Sequence, residues 1–506
     1  MMKQWFLTAA EKFNKKNFLV VHRSLLEKSE LLDSSMISPA EHSGDFFFFT
    51  YHQIFDATEK LAGGIQSEGN STQKFIPIVT SNPFDLILWT ISLWRINAIP
   101  VPLNYHLLKN ELREQINYLN AENVFCETKL ADAVPSLKRF SSSSTYFKNE
   151  ALPTGFNLLN IAVLMFTSGT SGKPKAVSLS YHNLFAAYKS GNSIFNYTKN
   201  DSWYLNLPLY HIGGFSILVR AILSGSSLII PESNDCDSLK NNLNITKPTF
   251  VSLVPTQLKR ICENEIIPNN ELRAALIGGG FSDITLISNA VNLGWKIYKV
   301  YGSTETSAFI TVLTPDDLAL KPKSVGKPLS RVEINIFDEK RNILPVNAVG
   351  EIGIKALSVT KGYLNNEDDS NSKFSNGFFL TGDFGSFDAD GYLYLENRRT
   401  DLIVSGGENI SPIEIENAIS QFPGIDEVCV FGLLDKEWGE IVTAGITTID
   451  KREINFSELQ IFLKDKLPSF KRPKKYFQLK EFPKSAIGKI KRSEVKRLFN
   501  RSSSQT

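Results

Sequence analysis

An apolar run, Leu164-Met165-Phe166, passes without a break into nine residues, Thr167 to Lys175, made almost wholly of glycine, hydroxyl side chains and lysine. No other stretch constrains the chain as tightly. A strand apolar enough to be buried needs a sheet around it, and the loop that ends it can wrap a phosphate. Gly169 and Gly172 allow backbone angles that turn N–H groups inward; Thr167, Ser168, Thr170 and Ser171 add hydroxyls; Lys173 and Lys175 add charge. It is not a Walker loop, because the four-residue spacer before Gly-Lys is missing and Pro174 stands where a Ser or Thr would meet magnesium. The competing interpretation, a solvated Ser/Gly linker, fits poorly with so abrupt an exit from a buried strand.

The sheet that this strand requires is legible on both sides of it. Phe75 to Ser81 reads as a strand, Asn82 and Pro83 as cap and first turn, Phe84 to Arg95 as a buried helix and Ala98 to Val101 as the next strand, which makes a βαβ unit. The same grammar recurs at Phe250 to Pro255, where Thr256 is the expected helix cap. It recurs again at Arg273 to Ile277, a helix after Ser282, and Trp295 to Val300, with Gly294 as the helix stop. The fold class is therefore α/β, with mostly parallel sheets covered by helices on both faces.

Beyond about Ser324 the period changes to two, with Val332, Ile334 and Ile336 on one face and turns expected at Asp338 to Asn342 and Asn365 to Asp369. A β-rich subdomain is expected over about 324–397. After Asp401 come a strand, a Gly406-Gly407 turn, a helix from Pro412, strands near Val428 and Ile446, a helix near Leu459 and a basic terminus. The expected organisation is an N-terminal domain over 1–400 and a small, mobile α+β domain over 401–506.

Composition bounds the chemistry. At ~150 residues per domain, 506 residues with 42% apolar content make roughly three units, each with enough core to fold. Fifty-five Lys and Arg against 53 Asp and Glu leave a net +2, so bulk charge gives no support to a nucleic-acid or membrane-surface role. Any phosphate chemistry must be local. Cys126, Cys236, Cys262 and Cys429 lie far apart, without a metal or disulfide pattern, and the six histidines form no His-x-x-x-His pair. No apolar run nears the ~20 residues of a membrane span, and Glu11, Lys12, Lys15 and Lys16 interrupt what a signal peptide would keep apolar. A cytoplasmic protein is expected, without an integral membrane segment, a nucleic-acid partner or a tightly held protein-ligated metal.

Four further constellations follow the loop: Tyr301-Gly-Ser-Thr-Glu-Thr306, directly after a strand; Thr381-Gly-Asp383; Asn397 to Ile410, which holds Arg398 and the glycine pair; and Pro483-Lys-Ser-Ala-Ile-Gly-Lys489. Taken singly, each is more often a turn than a site. In this order and at these separations they resemble the acyl-adenylate-forming superfamily of acyl-CoA synthetases, adenylation domains and luciferases, over about residues 45 to 495. The resemblance implies ATP, Mg2+ and CoA as cofactors and a two-step reaction. A carboxylate attacks the α-phosphate of ATP and pyrophosphate leaves; a thiol then takes the acyl group from the adenylate.

By that resemblance, Thr167 to Lys175 hold the β and γ phosphates, Glu305 binds Mg2+, and Thr304 meets the α-phosphate. Gly278, Gly279 and Gly280 flank adenine with Tyr301; Gly302 and Ser303 also bind the nucleotide, and Asp383 and Arg398 take the ribose hydroxyls. Lys489 matches the C-terminal lysine that bridges carboxylate and α-phosphate; from composition alone it is an exposed lysine in a tail with fourteen basic residues against three acids between Lys464 and Arg501. Thr400 stands at the hinge, where many relatives carry Asp or Lys, so the hinge residue departs from the pattern, as do Ala176 and Asn397 at positions where glycine is frequent. Neither of the last two removes a catalytic group.

The acid is read from Leu207-Pro-Leu-Tyr-His-Ile-Gly-Gly-Phe-Ser-Ile-Leu-Val-Arg220. Arg220 lies in an apolar helical run. It is either a buried guanidinium that needs an anion or a side chain snorkelling to water. His211 is either the aromatic gate of the acyl channel or a core histidine. With Ile277 to Gly280, Tyr301 to Thr311, Leu313 to Asp317 and Ser324 to Pro328, this stretch resembles the 2-succinylbenzoate:CoA ligases of menaquinone biosynthesis. That resemblance implies a substrate with two carboxylates, one activated and one held by Arg220, with His211 and Gly279 beside the acid. The alternatives are a fatty-acid or aryl-acid CoA ligase, an adenylation domain loading a carrier protein, and a non-catalytic nucleotide-binding module. A homo-oligomer stays open.

Overall fold

The computed structural model describes residues 5–31, 37–67, 74–107, 109–134, 138–140, 156–168, 174–280, 284–398, 403–405, 408–410, 412–435, 438–467, 469, 471–485 and 488–503. Its contacts divide into two compact units, one of Met1–Glu333 with Ile354–Phe379 and one of Ile334–Gly353 with Leu380–Thr506.

The first unit is built on a ten-stranded sheet. From one edge to the other it runs Lys327–Pro328, Ala308–Leu313, Ile297–Ser303, Ala274–Ile277, Phe250–Leu253, Ser202–Tyr204, Ser227–Ile230, Asn17–His22, Phe46–Thr50 and Glu41–Ser43. The six central strands are mutually parallel, and each edge is closed by an antiparallel pair. The three strands from the first fifty residues have no counterpart in the sequence expectations, which begin at Phe75. A second sheet is all parallel, in the order Ile99–Pro102, Phe75–Val79, Asn123–Cys126 and Lys138–Phe140. Its Pro83–Arg95 helix forms as the sequence suggests. The Asn82 side chain accepts from the Phe84 N–H, Pro83 opens the first turn where no N–H is needed, and Arg95 closes the last turn at the negative end of the helix dipole.

Two expectations are corrected. Thr256 does not cap its helix: Val254 is the cap residue and Pro255 the first helical residue, so Thr256 lies inside Pro255–Glu263. Proline's fixed φ suits the first turn and moves the start two residues earlier. The 365–369 segment is not simply a turn, since after Asn365, at φ 49°, the helix Glu367–Lys373 begins.

The strand Ile161–Ser168 pairs with Pro174–Ser180 as an antiparallel hairpin that brings Thr167 opposite Lys175. A helix follows at once, Tyr181–Phe195. A capping box starts it, with the Ser180 hydroxyl accepting the Asn183 N–H and the Asn183 side chain accepting the Ser180 N–H. The helix Ile212–Ser224 is buried on nearly every side and stops at Gly225, whose φ is 73°. A Cβ at Gly225 would also lie 2.3 Å from the Phe13 ring, so glycine is required there twice over.

The β-rich segment forms a five-stranded sheet of Val332–Phe337, Gly350–Ala356, Phe378–Phe387 and Phe374–Ser375, with Leu393–Arg398 also paired to Phe378–Phe387. The expected turn at Asp338 to Asn342 is present, with the Asp338 carboxylate accepting the Lys340 and Asn342 N–H groups. In the second unit, Ile425–Asp435 and Gly439–Thr448 form a long hairpin joined by Ile403–Ser405, Glu408–Ile410 and the parallel strand Lys475–Gln478, with helices Pro412–Ser420 and Phe456–Lys464. Ile415, Ile419, Val430, Ala444, Leu459 and Leu463 make its core.

Candidate active site

Strand Ile297–Ser303 delivers the Tyr301 to Thr306 motif to the carboxyl end of the parallel sheet, where α/β folds gather ligands. The chain turns there in one 3-10 turn, Thr304–Thr306, and returns as Ala308–Leu313. Thr306 locks the turn: its hydroxyl receives the Ser303 N–H at 2.8 Å and lies 2.7 Å from the Ala308 carbonyl. Gly302 is required by the close approach of the two strands, since a Cβ would sit 1.9 Å from the Ala308 oxygen. Gly278 meets Val300 in the same way, at 2.8 Å, and Gly279 has φ 76°.

The Glu305 carboxylate accepts the Tyr363 hydroxyl at 3.0 Å on Oε1. Lys175 is buried and holds its ammonium over the ring of the same tyrosine, 5.3 Å from the ring centre. Tyr363 thus joins the phosphate-loop lysine to the acidic turn. Further contacts fix this arrangement: the Thr360 N–H donates to the Glu305 carbonyl at 2.8 Å, and the Leu364 N–H to the Ala176 carbonyl at 2.8 Å. Sequence inspection misses Tyr363 because Lys361-Gly-Tyr363 matches no motif and Glu305 stands 58 residues away, with Lys175 further still. Of the loop itself, Thr167 and Lys175 are described; Gly169, Thr170, Ser171, Gly172 and Lys173 lie outside the described residues, as does the Ser168 side chain.

His211 caps the Ile212–Ser224 helix with its backbone, and its side chain makes no cap bond. Burial lowers its pKa to about 4, so the imidazole is neutral at physiological pH, and its buried Nε2 has no hydrogen-bond partner among the described residues. Arg220, about two and a half turns further on, is 6% exposed and does not snorkel. Its guanidinium carbon lies 4.7 Å from the Phe309 ring centre and 5.2 Å from that of Trp203. Among the described residues no carboxylate pairs with it, and burial pulls its pKa below the ordinary arginine value.

In the second unit, Asp383 sits on Phe378–Phe387 with its Cα opposite that of Arg398. The preceding turn is held by Thr381, whose hydroxyl donates to the Ile352 carbonyl at 3.0 Å and accepts the Asp383 N–H at 3.0 Å. Gly382, at φ 76°, donates to Glu351, which Arg341 pairs at 2.9 Å. The Arg398 side chain, Thr400 and the Gly406-Gly407 turn lie outside the described residues. Lys489 is exposed at the end of a tight loop. There the Ser485 N–H donates to its carbonyl at 2.8 Å, and its own N–H reaches the Ser485 hydroxyl at 3.2 Å.

Among the described residues no three His, Cys, Asp or Glu side chains group to hold a metal, and no helix is long and apolar enough to cross a membrane. Glu305 nevertheless suits Mg2+: among the described residues its Oε2 has no partner, and this ion is commonly bound by one or two carboxylates together with substrate phosphates.

Known proteins carry the same architecture. Residues 36–364 match the model of the AMP-binding enzymes, and 414–489 that of the AMP-binding enzyme C-terminal domain. A 2-succinylbenzoate--CoA ligase of Listeria monocytogenes is 32% identical over 451 residues, 88% of this chain and 94% of that one. The o-succinylbenzoate CoA synthetase of Bacillus subtilis in complex with the acyl-adenylate intermediate OSB-AMP superposes with a TM-score of 0.87 at 26% identity, covering 98% of both chains. The same enzyme in complex with ATP and magnesium ion gives 0.86, also at 26% identity, with 98% of this chain and 99% of that chain covered. The chain therefore belongs to the AMP-binding enzyme family and is an adenylate-forming, AMP-forming acid:CoA ligase.

Proposed function

We propose that the acid is 2-succinylbenzoate, converted through its adenylate to 2-succinylbenzoyl-CoA for menaquinone biosynthesis in the cytoplasm. One observation carries the choice. Arg220 is a buried cation without an anion among the described residues, on the helix that begins at the His211 gate, and an acid with a second carboxylate supplies the missing charge. A fatty acid or a simple aryl acid leaves it unpaired. The names of the relatives point the same way.

In the first half-reaction the succinyl carboxylate attacks the α-phosphorus and the bond to the β-phosphate oxygen breaks, releasing pyrophosphate. The difficulty is the repulsion between two anions, so catalysis is mainly placement of positive charge. Lys489 bridges the attacking oxygen and the α-phosphate, Thr304 donates to the same phosphate, and Lys175 with the loop residues Thr167 to Lys173 neutralises the departing pyrophosphate. Mg2+ held by Glu305 supplies further charge on the phosphates. Gly278 to Gly280 and Tyr301 to Ser303 cradle adenine, while Asp383 and Arg398 hold the ribose. In the second half-reaction the C-terminal domain turns about Thr400, Lys489 withdraws, and the CoA thiol attacks the acyl carbonyl as AMP leaves. The neutral His211 lines the acyl channel without charge of its own.

The test is pyrophosphate release with ATP and Mg2+, with and without CoA, for 2-succinylbenzoate, its analogue lacking the ring carboxylate (3-benzoylpropionate), a fatty acid and benzoate. The diacid should have the highest kcat/KM and give a CoA thioester. A monoacid that is turned over as well as the diacid removes the proposal, and acyl transfer that proceeds only to a carrier protein replaces the CoA step.

A further inference from the structure

We infer that Tyr197 and Trp203 complete, with Arg220, a buried set of donors for the second carboxylate of the acid, and that Gly191 leaves the Tyr197 phenol its place in this set. The inference rests on the diacid proposal above. Tyr197 is 6% exposed and Trp203 fully buried, and among the described residues neither the Tyr197 hydroxyl nor the Trp203 indole nitrogen has a hydrogen-bond partner. They belong to one cluster. The Tyr197 and Trp203 rings meet edge-on with centroids 5.6 Å apart, and the guanidinium covers Trp203 on one side and Phe309 on the other.

Gly191, on the Tyr181–Phe195 helix, marks where the parts converge. A Cβ built there would lie 3.0 Å from the Tyr197 hydroxyl and 3.3 Å from the Phe309 ring edge, the ring on which Arg220 stacks. Arg220 is also close enough for its charge to act on the Tyr197 phenol.

Folded interiors leave few polar groups unpaired, because each buried orphan forfeits the hydrogen bonds it made with water. Here two neutral donors without a hydrogen bond among the described residues lie in one cluster with a buried guanidinium, while the nearby Asp201 carboxylate is taken up by Arg273 at 2.7 Å. A carboxylate offers about four lone-pair sites and one negative charge, enough acceptor capacity for all three donors. A neutral carbonyl or a water would leave the guanidinium's charge uncompensated. Tyr197 and Trp203 are accordingly substrate-binding residues, and Gly191 is a positioning residue whose missing side chain leaves the phenol its place.

The experiment compares KM for 2-succinylbenzoate and 3-benzoylpropionate in pyrophosphate release, together with unliganded thermal melting, for the full chain and the variants Tyr197→Phe, Trp203→Phe and Gly191→Ala. Loss of the phenol hydroxyl should raise the ratio of diacid to monoacid KM about tenfold, the order expected for a hydrogen bond to a charged group. Trp203→Phe and Gly191→Ala should move that ratio the same way. Unliganded Tyr197→Phe should melt at or above the wild-type temperature, since it removes a buried orphan. An unchanged ratio in Tyr197→Phe overturns the inference, and so does an equal rise for both acids with a lower melting temperature, which is the signature of a merely structural hydroxyl. Failure of the wild type to use the diacid at all sinks the substrate proposal instead.

Discussion

Replacing Arg220 with methionine separates the stability of this protein from its selectivity. The guanidinium is 6% exposed and faces two aromatic rings instead of an acid. After relaxation, desolvating an ion costs several kcal/mol, whereas a desolvated cation–π contact returns about 2 kcal/mol. The unliganded enzyme is thus left with a deficit of about 1–3 kcal/mol. Methionine fills the volume of the arginine stem and sets a thioether against the same rings, a contact worth roughly 0.3–1.5 kcal/mol. Arg220→Met should therefore stabilise the unliganded protein by about 1–3 kcal/mol, a rise of a few degrees in Tm by calorimetry. The same change should raise KM for the diacid roughly 30-fold or more, because truncating one partner of a buried charge pair costs at least about 2 kcal/mol. It should also abolish the upward shift in Tm that saturating diacid gives the wild type. A variant that melts below the wild type, with an unaltered KM, would falsify the idea that this cation waits for an anion.

Other perturbations test the remaining parts. Lys489→Ala should reduce adenylation at least about a hundredfold while thioester formation from the preformed adenylate proceeds; equal loss of both half-reactions contradicts its role. Tyr363→Phe removes the hydroxyl that Glu305 accepts but keeps the ring beneath Lys175, so the Mg2+ concentration for half-maximal rate should rise about tenfold, and an unchanged Mg2+ curve argues against the link. Asp85, whose pKa burial raises to about 7, tests the fold away from the site. A carboxyl with a raised native pKa binds its proton more tightly when folded, so the wild type loses stability as pH climbs from about 4 to 7, and the deficit is complete above that. Asp85→Asn should recover on the order of a few kcal/mol at pH 8 and little at pH 4, measured by denaturant unfolding; a gain independent of pH speaks against it.

Local signals are the most readable ones. Asn82-Pro83 ahead of an apolar run fixes a helix start because capping and proline geometry act within two residues, and Gly294 stops its helix for the same reason, with φ 94°. Period-two alternation at Val332, Ile334 and Ile336 marks a strand of the β-rich sheet. Thr256 misleads because a hydroxyl and a proline both favour a first turn, and the proline prevails. The division into units is beyond local signals. Residues 334–353 group with the chain after Leu380, although Gly350–Ala356 itself continues across that boundary, and no composition change marks it.

The site divides along the same line. Its motif residues are readable as runs of glycine, hydroxyl and charge, whereas the groups inferred to hold the second carboxylate are not. Tyr197, Trp203 and Gly191 are ordinary core residues by type, and their meaning comes from what each lacks: an acceptor for the phenol, an acceptor for the indole, and a Cβ. A missing partner cannot be seen along a chain. It emerges only once the fold has brought a helix glycine, Gly191, beside the phenol of Tyr197 and the ring of Phe309, and has laid the Arg220 guanidinium between that ring and Trp203. The cost of leaving such donors unanswered belongs to the assembled neighbourhood, so the stretch Leu207 to Arg220 offers the cation while only the tertiary structure shows that it is buried without an anion among the described residues.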